Sequence, residues 1–338
     1  MSRWAKDPEA AAEELVRRSL DAIDPTGRTL LANQAGALPA LLAERGIDVC
    51  LWNRRLVGKG GAAHAWPSTG PFEMALLRLP KPRDEQLMAM HACLSVLARA
   101  GRLILYGGNE EGIRSAGDRL EKLCGEIEIV AARGHGRVLS ARRPANGAPL
   151  RASLAAWASV AQLSIAGSER RWVSYPGVFA AGRIDDGTGL LIETLPPLRA
   201  GDAVLDYGCG SGAIGAAALT AQPDILLDLL DDDAVALEAA RENVAGARLL
   251  LGNGLADARR VAYAAILSNP PLHMGIAEDH ALLESLIADA PAHLRDGGHL
   301  QMVVQRRIPL ERLLAKHFGD VAIVAQNGRY RVWRARHA

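Results

Sequence analysis

Residues Val204-Leu-Asp206-Tyr-Gly208-Cys-Gly210-Ser-Gly212 place an apolar run, an acid and three alternate glycines in direct succession. The pattern predicts a strand that turns straight into a helix, here Ala213–Leu219. Glycine lets the backbone of such a turn approach a bound nucleoside where a Cβ would collide. A second apolar strand, Ala264-Ala-Ile-Leu267, ends on Ser268-Asn269-Pro270-Pro271, a side-chain amide followed by two rigid prolines. Both segments require strands alternating with helices, which restricts this part of the chain to an α/β sheet.

Composition sets outer limits. At 338 residues the chain is long for one core, so two domains are expected. Hydrophobic content of 49% with 23% charged residues describes a soluble globular protein. No apolar run approaches the ~18 residues of a membrane span. The opening Met-Ser-Arg-Trp-Ala-Lys-Asp-Pro-Glu carries acids and no apolar h-region, so no secretory signal is read there. Cys50, Cys93, Cys124 and Cys209 are scattered without a CxxC pair. Free thiols in a reducing cytoplasm, and no metal site, are the expectation. A net charge of +1 is low for a nucleic-acid enzyme. Its distribution is uneven, however. Arg133, Arg137, Arg142, Arg143 and Arg151 occupy a stretch free of acids, and eight Lys/Arg face only Glu311 and Asp320 from Arg306 onward. Either these arginines attract phosphates or they are simply solvated.

The chain also repeats itself. Gly125–Arg143 aligns with Gly319–His337 at nine identities in nineteen positions, and both read as strand, glycine-containing turn, strand. Upstream, a helical pattern at Ala89–Ala100 followed by Gly101–Tyr106 parallels Leu282–Leu294 followed by Gly298–Val304. Ala75-Leu-Leu-Arg-Leu79-Pro80-Lys81 parallels Ala265-Ile-Leu-Ser-Asn269-Pro270-Pro271. The repeat is a whole domain, which points to duplication. In the first copy, Leu30–Leu38 stands where the glycine turn should be, without its acid and most of its glycines, and Leu79 replaces Asn269. Domains at 1–150 and 151–338 follow, joined near the turn-rich Pro144–Pro149, with the first copy degenerate.

In the second copy the pattern predicts strands at 203–207, 225–230, 248–251, 263–267 and 299–305, and helices at 213–221, 233–244 and 280–294. Such alternation implies parallel strands covered on both faces. The hairpin 320–326/330–336 has a turn too short for a parallel crossover and must be antiparallel.

Gly210-x-Gly212-x-x-Gly215 with Asp231 about twenty residues further on fits a nucleotide fingerprint, the acid accepting from ribose hydroxyls. These residues do not distinguish a dinucleotide from another nucleoside cofactor. Asp232 and Asp233 sit where a helix N-cap and first turn belong. Asn253 is placed to meet an adenine edge, or is a turn residue in the left-handed region. Asn269 carries the chemistry. An exocyclic amine conjugated with its ring is a poor nucleophile, since its lone pair is delocalised. Accepting its protons at Asn269 Oδ1 and the Pro270 carbonyl would hold the nitrogen pyramidal, with acceptors preset by the prolines.

Pro176-Gly-Val-Phe179, Gly182-Arg-Ile-Asp-Asp-Gly-Thr-Gly-Leu-Leu191, Asn269-Pro-Pro-Leu-His273 and Ala325-Gln-x-Gly-Arg-Tyr-Arg-Val332 together resemble the bacterial two-domain ribosomal RNA guanine-N2 methyltransferases, the small-subunit enzymes above all. So does Gly107–Ala116 in the first copy. The resemblance implies tandem class I, Rossmann-like methyltransferase domains and S-adenosylmethionine as cofactor. It implies a partner in ribosomal RNA or the small ribosomal subunit, and a monomeric enzyme of the cytoplasm. By that resemblance Asp206, Gly208, Gly210, Gly212, Asp231 and Asn253 bind the cofactor, Asn269 and Pro270 are catalytic, and Pro271, Leu272 and His273 meet the substrate. Leu272 stands where the family has an aromatic on which a flipped base stacks, a contact worth on the order of 1–3 kcal/mol. Methylation of another planar nitrogen, in a protein glutamine or an adenine, is the alternative reading. A catalytically decayed RNA-binding relative is the non-enzymatic one.

Overall fold

The computed structural model describes residues 7–34, 36–58, 61–145, 149–180, 182–258, 262–270 and 276–338, the side chains of 276–279 apart. It divides into two units, Met1–Ala158 and Ser159–Ala338. Residues 151–158, expected with the second copy, pack in the first. The Arg151 N–H donates to His91 Nδ1 (3.1 Å), and the Trp157 and His91 rings meet edge-on at 5.1 Å.

In the first unit, α1 (Pro8–Ile23) precedes β1 (Arg28–Ala32), α2 (Leu38–Glu44), β2 (Asp48–Trp52) and β3 (Phe72–Arg78). Then come α3 (Arg83–Val96), β4 (Leu97–Gly108), α4 (Ile113–Cys124), β5 (Ile127–Arg133) and β6 (Gly136–Arg142). The strands run in the order β2-β1-β3-β4-β6-β5, parallel except at β6, which pairs antiparallel with both β4 and β5. Helix α3 ends at Val96, short of the Ala100 that its apolar pattern predicts, because the chain has already entered β4 at Leu97.

The second unit opens with a hairpin, β7 (Ser159–Ile165) and β8 (Ser168–Ser174), and a short helix α5 (Asp186–Ile192). It continues through β9 (Ala203–Tyr207), α6 (Ala213–Ala221), β10 (Leu226–Asp231), α7 (Ala234–Asn243), β11 (Arg248–Leu251) and β12 (Tyr263–Ser268). The last elements are α8 (Ile276–Asp289), β13 (Leu294–Gln305), the single turn α9 (Glu311–Leu314), β14 (Asp320–Gln326) and β15 (Tyr330–Arg336). Strand order is β11-β10-β9-β12-β13-β15-β14, parallel until the final hairpin. The helix predicted at 280–294 lies earlier. A 3₁₀ turn at Ala290–His293, led by Pro291, ends it, and β13 starts five residues before the predicted 299.

Both sheets carry apolar layers on each face, and strand alternation decides which residue joins which layer. In the first unit Leu30, Leu77 and Leu105 fill one layer while Leu31, Leu76 and Ile104 fill the other. The second unit divides Leu205, Ile266 and Leu300 from Val204, Leu267 and Val303 in the same way. The duplication survives in detail. In the two closing hairpins a bulge shifts the register at aligned positions, between Ile129 and Ala131 and between Ile323 and Ala325. Among the described residues no helix is long and apolar enough to cross a membrane.

One amide helps tie hairpin β7–β8 to the rest of the second unit, beside bonds from Trp172 to Ser211 and from Arg170 to Thr220. Asn243, the last residue of α7, accepts the Val173 N–H (2.7 Å) and donates to the carbonyls of Val173 (2.9 Å) and Ser211 (3.1 Å). Asn243→Ala would strand the backbone of buried Val173 without a partner. The expected cost is about 1–3 kcal/mol, read as a lowered urea midpoint at unchanged slope; an unchanged midpoint would show that this tie is dispensable.

Candidate active site

The chain leaves β9, turns outward to β10 and β11, and returns to β12 on the other side of β9. Carboxyl ends of β9 and β12 therefore flank the switch point, where open α/β sheets bind ligands. The glycine turn and Asn269 sit at these two ends.

Gly208, Gly210 and Gly212 all take left-handed φ angles, 68°, 54° and 91°. Their side-chain directions separate their duties. A Cβ on Gly212 would lie 2.7 Å from Val244 Cγ2, and one on Gly215 would lie 2.5 Å from Leu229 Cδ2, so these two allow α6 to pack against its neighbours. A Cβ on Gly210 would meet nothing within 4 Å. There the turn offers bare backbone to open space.

Two carboxylates hold the turn. Asp231 Oδ2 accepts the Gly210 N–H (2.7 Å) and Oδ1 accepts the Asp233 N–H (2.9 Å), fastening the turn after β9 to the one after β10. Each oxygen keeps a lone pair for a further donor. Burial, then the charges of Asp233 and Asp232, push this carboxyl upward from its ordinary value. Asp233 caps α7 by accepting from Val235 N and Ala236 N. Asp206 is wholly buried beneath the turn. Its Oδ2 accepts the Gly215 N–H at 2.9 Å, while Oδ1 has no partner among the described residues. Gly212 has no side chain to cap α6, so Asp206, nine residues before Gly215, satisfies a donor of that first turn. Asn253, in the bend after β11, is exposed and outside the left-handed region. Its N–H donates to Asp257 Oδ2 (3.0 Å), and its carbonyl accepts from the Tyr207 hydroxyl (3.3 Å).

Ser268, buried at the end of β12, donates to the Tyr207 carbonyl (2.8 Å) and so pins β12 to β9 just before the amide. Asn269 Nδ2 donates to Thr188 Oγ1 (2.9 Å) and Asp185 Oδ2 (3.1 Å). Pro270, the next residue, is buried. Pro271, Leu272 and His273 lie outside the described residues. Asp185 and Thr188 stand in a motif of the sequence that gives them no role at the site. Their signal is local: Asp185-Asp-Gly-Thr188 ahead of Leu190-Leu-Ile is an N-cap pattern, and Asp185 does cap α5 through the N–H groups of Gly187 and Thr188. Nothing in that spacing reveals a partner eighty-odd residues away. Among the described residues no group of three or more His, Cys, Asp or Glu could hold a metal ion.

Residues 169–334 match the methyltransferase small domain, and residues 14–158 its N-terminal companion. A ribosomal RNA small subunit methyltransferase C of Hahella chejuensis is 30% identical over 326 residues, 92% of this chain and 94% of that protein. This chain belongs to the ribosomal RNA small subunit methyltransferase C family. A member from Pseudomonas fluorescens is 36% identical over 270 residues, 78% of this chain and 79% of that one. The family's fold is seen in the T. thermophilus 16S rRNA N2 G1207 methyltransferase, solved with AdoMet and guanosine. It superposes at a TM-score of 0.83 with 22% identity, covering 100% of this chain and 94% of that one. The fold is thus the tandem Rossmann-like arrangement of this methyltransferase family.

The first unit fills the same place differently. Leu79 follows β3, and buried Arg78 donates to Glu9 (3.1 and 3.3 Å) and Glu111 (2.5 Å). A cleft of about 160 Å³ here is lined by Asp7, Glu9, Glu13, Gln34, Arg78 and Tyr106, among others. Within it Gln34 donates to the Tyr106 hydroxyl and Arg78 to Glu9.

Burial raises the Asp206 carboxyl from 3.8 to about 7. Below about pH 4 it is neutral whether the chain is folded or not. As pH rises the unfolded chain ionises first, so this group's contribution to stability is lost between about pH 4 and 7 and stays lost above. Asp206→Asn removes that slope. Its stability relative to wild type should therefore climb from about pH 4 to 7 and then level off in urea titrations; parallel profiles would refute the shift.

Proposed function

We propose that this chain transfers a methyl group from S-adenosylmethionine to the exocyclic N2 of a guanine in small-subunit ribosomal RNA. One observation carries the reading: an amide acceptor at the end of β12 stands beside an open, acid-fastened glycine turn at the end of the adjacent strand β9. The names borne by its relatives support it, as do the guanosine and AdoMet bound by the T. thermophilus enzyme.

The residues fit such a cofactor. Gly210 leaves room for close approach, Asp231 has lone pairs for the ribose hydroxyls, and exposed Asn253 serves the adenine edge. Gly208 and Gly212 give the turn its shape, and Asp206 acts from beneath by holding the start of α6. When bound, S-adenosylmethionine supplies an electrophilic methyl on a sulfonium. Asn269 Oδ1 and the Pro270 carbonyl accept the two amine protons of guanine, which keeps the nitrogen lone pair off the ring. No strong base is required, since the methylated nitrogen is acidic enough to lose its proton to water. The family resemblance assigns Pro271, Leu272 and His273 to binding the base as well. The first domain, residues 1–150 by its sequence boundary, has no cofactor site and serves RNA recognition or support. The enzyme works as a cytoplasmic monomer without a metal.

Calorimetry tests the cofactor half. S-adenosylhomocysteine should bind one site per chain and NADH none, and Asp231→Ala should weaken the former by at least ~1 kcal/mol through loss of charge-assisted bonds. Two sites, or tight NADH binding, would refute this assignment. Catalysis is tested by single-turnover transfer to ribosomal RNA and to 30S subunits, with mass mapping of the product. Asn269→Ala should cut kcat by about 10²–10³ while S-adenosylhomocysteine affinity holds. Wild-type turnover in that variant, or product on any atom but guanine N2, would overturn the mechanism.

A further inference from the structure

The Asn269 carboxamide has two ends of opposite character, and only one of them suits an amine substrate. Turned one way it offers Oδ1, an acceptor for the amine protons. Turned the other way it offers Nδ2–H₂, which repels them. The backbone of β12 and Pro270 fixes where this amide sits, and not which end faces the substrate.

Two neighbours do. Asp185 Oδ2 lies 3.1 Å from Nδ2 and, as a carboxylate oxygen, only accepts. Thr188 Oγ1 lies 2.9 Å from Nδ2. A hydroxyl can donate or accept, and this one is already committed, because Thr188 Oγ1–H donates to the same Asp185 Oδ2. Its lone pairs are what remain for Asn269. Both neighbours are thus acceptors, and both protons of the amide nitrogen have a destination. The flipped amide would press Oδ1 against two oxygens. The arrangement is braced from behind, since Asp185 Oδ1 accepts the N–H groups of Gly187 and Thr188 (2.9 and 3.3 Å) as cap of α5. Thr188 is buried, so water does not compete for its hydroxyl.

We infer that Asp185 and Thr188 are positioning residues that set the rotamer of Asn269, so that its oxygen and not its nitrogen receives the guanine amine. This rests on the methyl transfer proposed above. The cap of α5 thereby gains a second role, in which one carboxylate oxygen starts the helix while the other fixes the polarity of the catalytic amide.

Asp185→Asn separates the two roles. Asparagine caps a helix as well as aspartate does, so the variant should fold, with an unchanged melting temperature and unchanged affinity for S-adenosylhomocysteine. Its new Nδ2–H₂ would face Asn269 as a donor and favour the flipped amide. We expect kcat for transfer to ribosomal RNA to fall about 10-fold or more, with KM nearly unchanged. Thr188→Val, which keeps the shape and removes the acceptor, should act in the same direction. The decisive measurement is the cycle with Asn269→Ala. If Asp185 and Thr188 work only through that amide, Asp185→Asn/Asn269→Ala and Thr188→Val/Asn269→Ala should be no slower than Asn269→Ala alone. Multiplicative losses, or wild-type kcat in folded Asp185→Asn, would overturn the inference. An inactive wild-type chain would instead overturn the methyl-transfer reading itself.

Discussion

The glycine turn of the candidate site depends on backbone N–H groups held by two carboxylates, Asp206 buried and Asp231 half-buried. The turn after β9 runs through three left-handed glycines, and the Leu230 carbonyl accepts the Gly208 and Cys209 N–H groups at its start. Asp231 grips it at Gly210 and Asp206 grips the helix that follows at Gly215. Ionised carboxylates in such surroundings are costly. These two are partly compensated by backbone donors, and the bonds that hold the turn come from the main chain rather than from an arginine or lysine. That is a workable arrangement for a binding turn: shape is fixed from below and behind, and the face that meets the ligand is left free of side chains.

Much of this was legible in the sequence, for reasons that differ from element to element. The boundaries of α6, β11, β14 and β15 came out as predicted, because glycine and short polar turns mark them sharply. Where a helix runs into a strand without such a mark, as at Val96/Leu97 and Asp289/Leu294, apolar periodicity did not separate the two. At the site, strand-end position was enough to single out Asp231 and Asn269. It could not tell that Asp206 lies under the turn, nor that Gly212 and Gly215 answer to packing. The partnership of Asp185 and Thr188 with Asn269 was illegible for a simpler reason. It joins segments far apart in the chain, and only the completed sheet brings them together.

The two units show what a duplicated fold keeps after its chemistry is gone. The order of six strands persists, β11 being without a counterpart in the first unit, as do the alternation of the apolar layers and the closing hairpin. At the end of β3 an arginine paired with Glu9 and Glu111 takes up space near the position of the amide. A leucine replaces the acceptor itself. Glu9 lies in the first turn of α1, the helix ahead of the first strand, and Thr188 lies in the first turn of α5, the helix ahead of β9. One helix end thus reaches the same strand end in both units, to hold an ion pair in one and an amide in the other.

The shared bulge is informative because no chemistry accounts for it. Strands β5 and β14 are the outermost on their side of each sheet, and each shows an exposed isoleucine beside its bulge, Ile129 and Ile323. A flat, regular edge of that composition would invite another chain to add a strand. The extra residue twists the edge and interrupts the row of evenly spaced backbone groups that such an addition needs. Protection from self-association is therefore built into the backbone of both hairpins, where it persists whether or not the unit that carries it still catalyses anything.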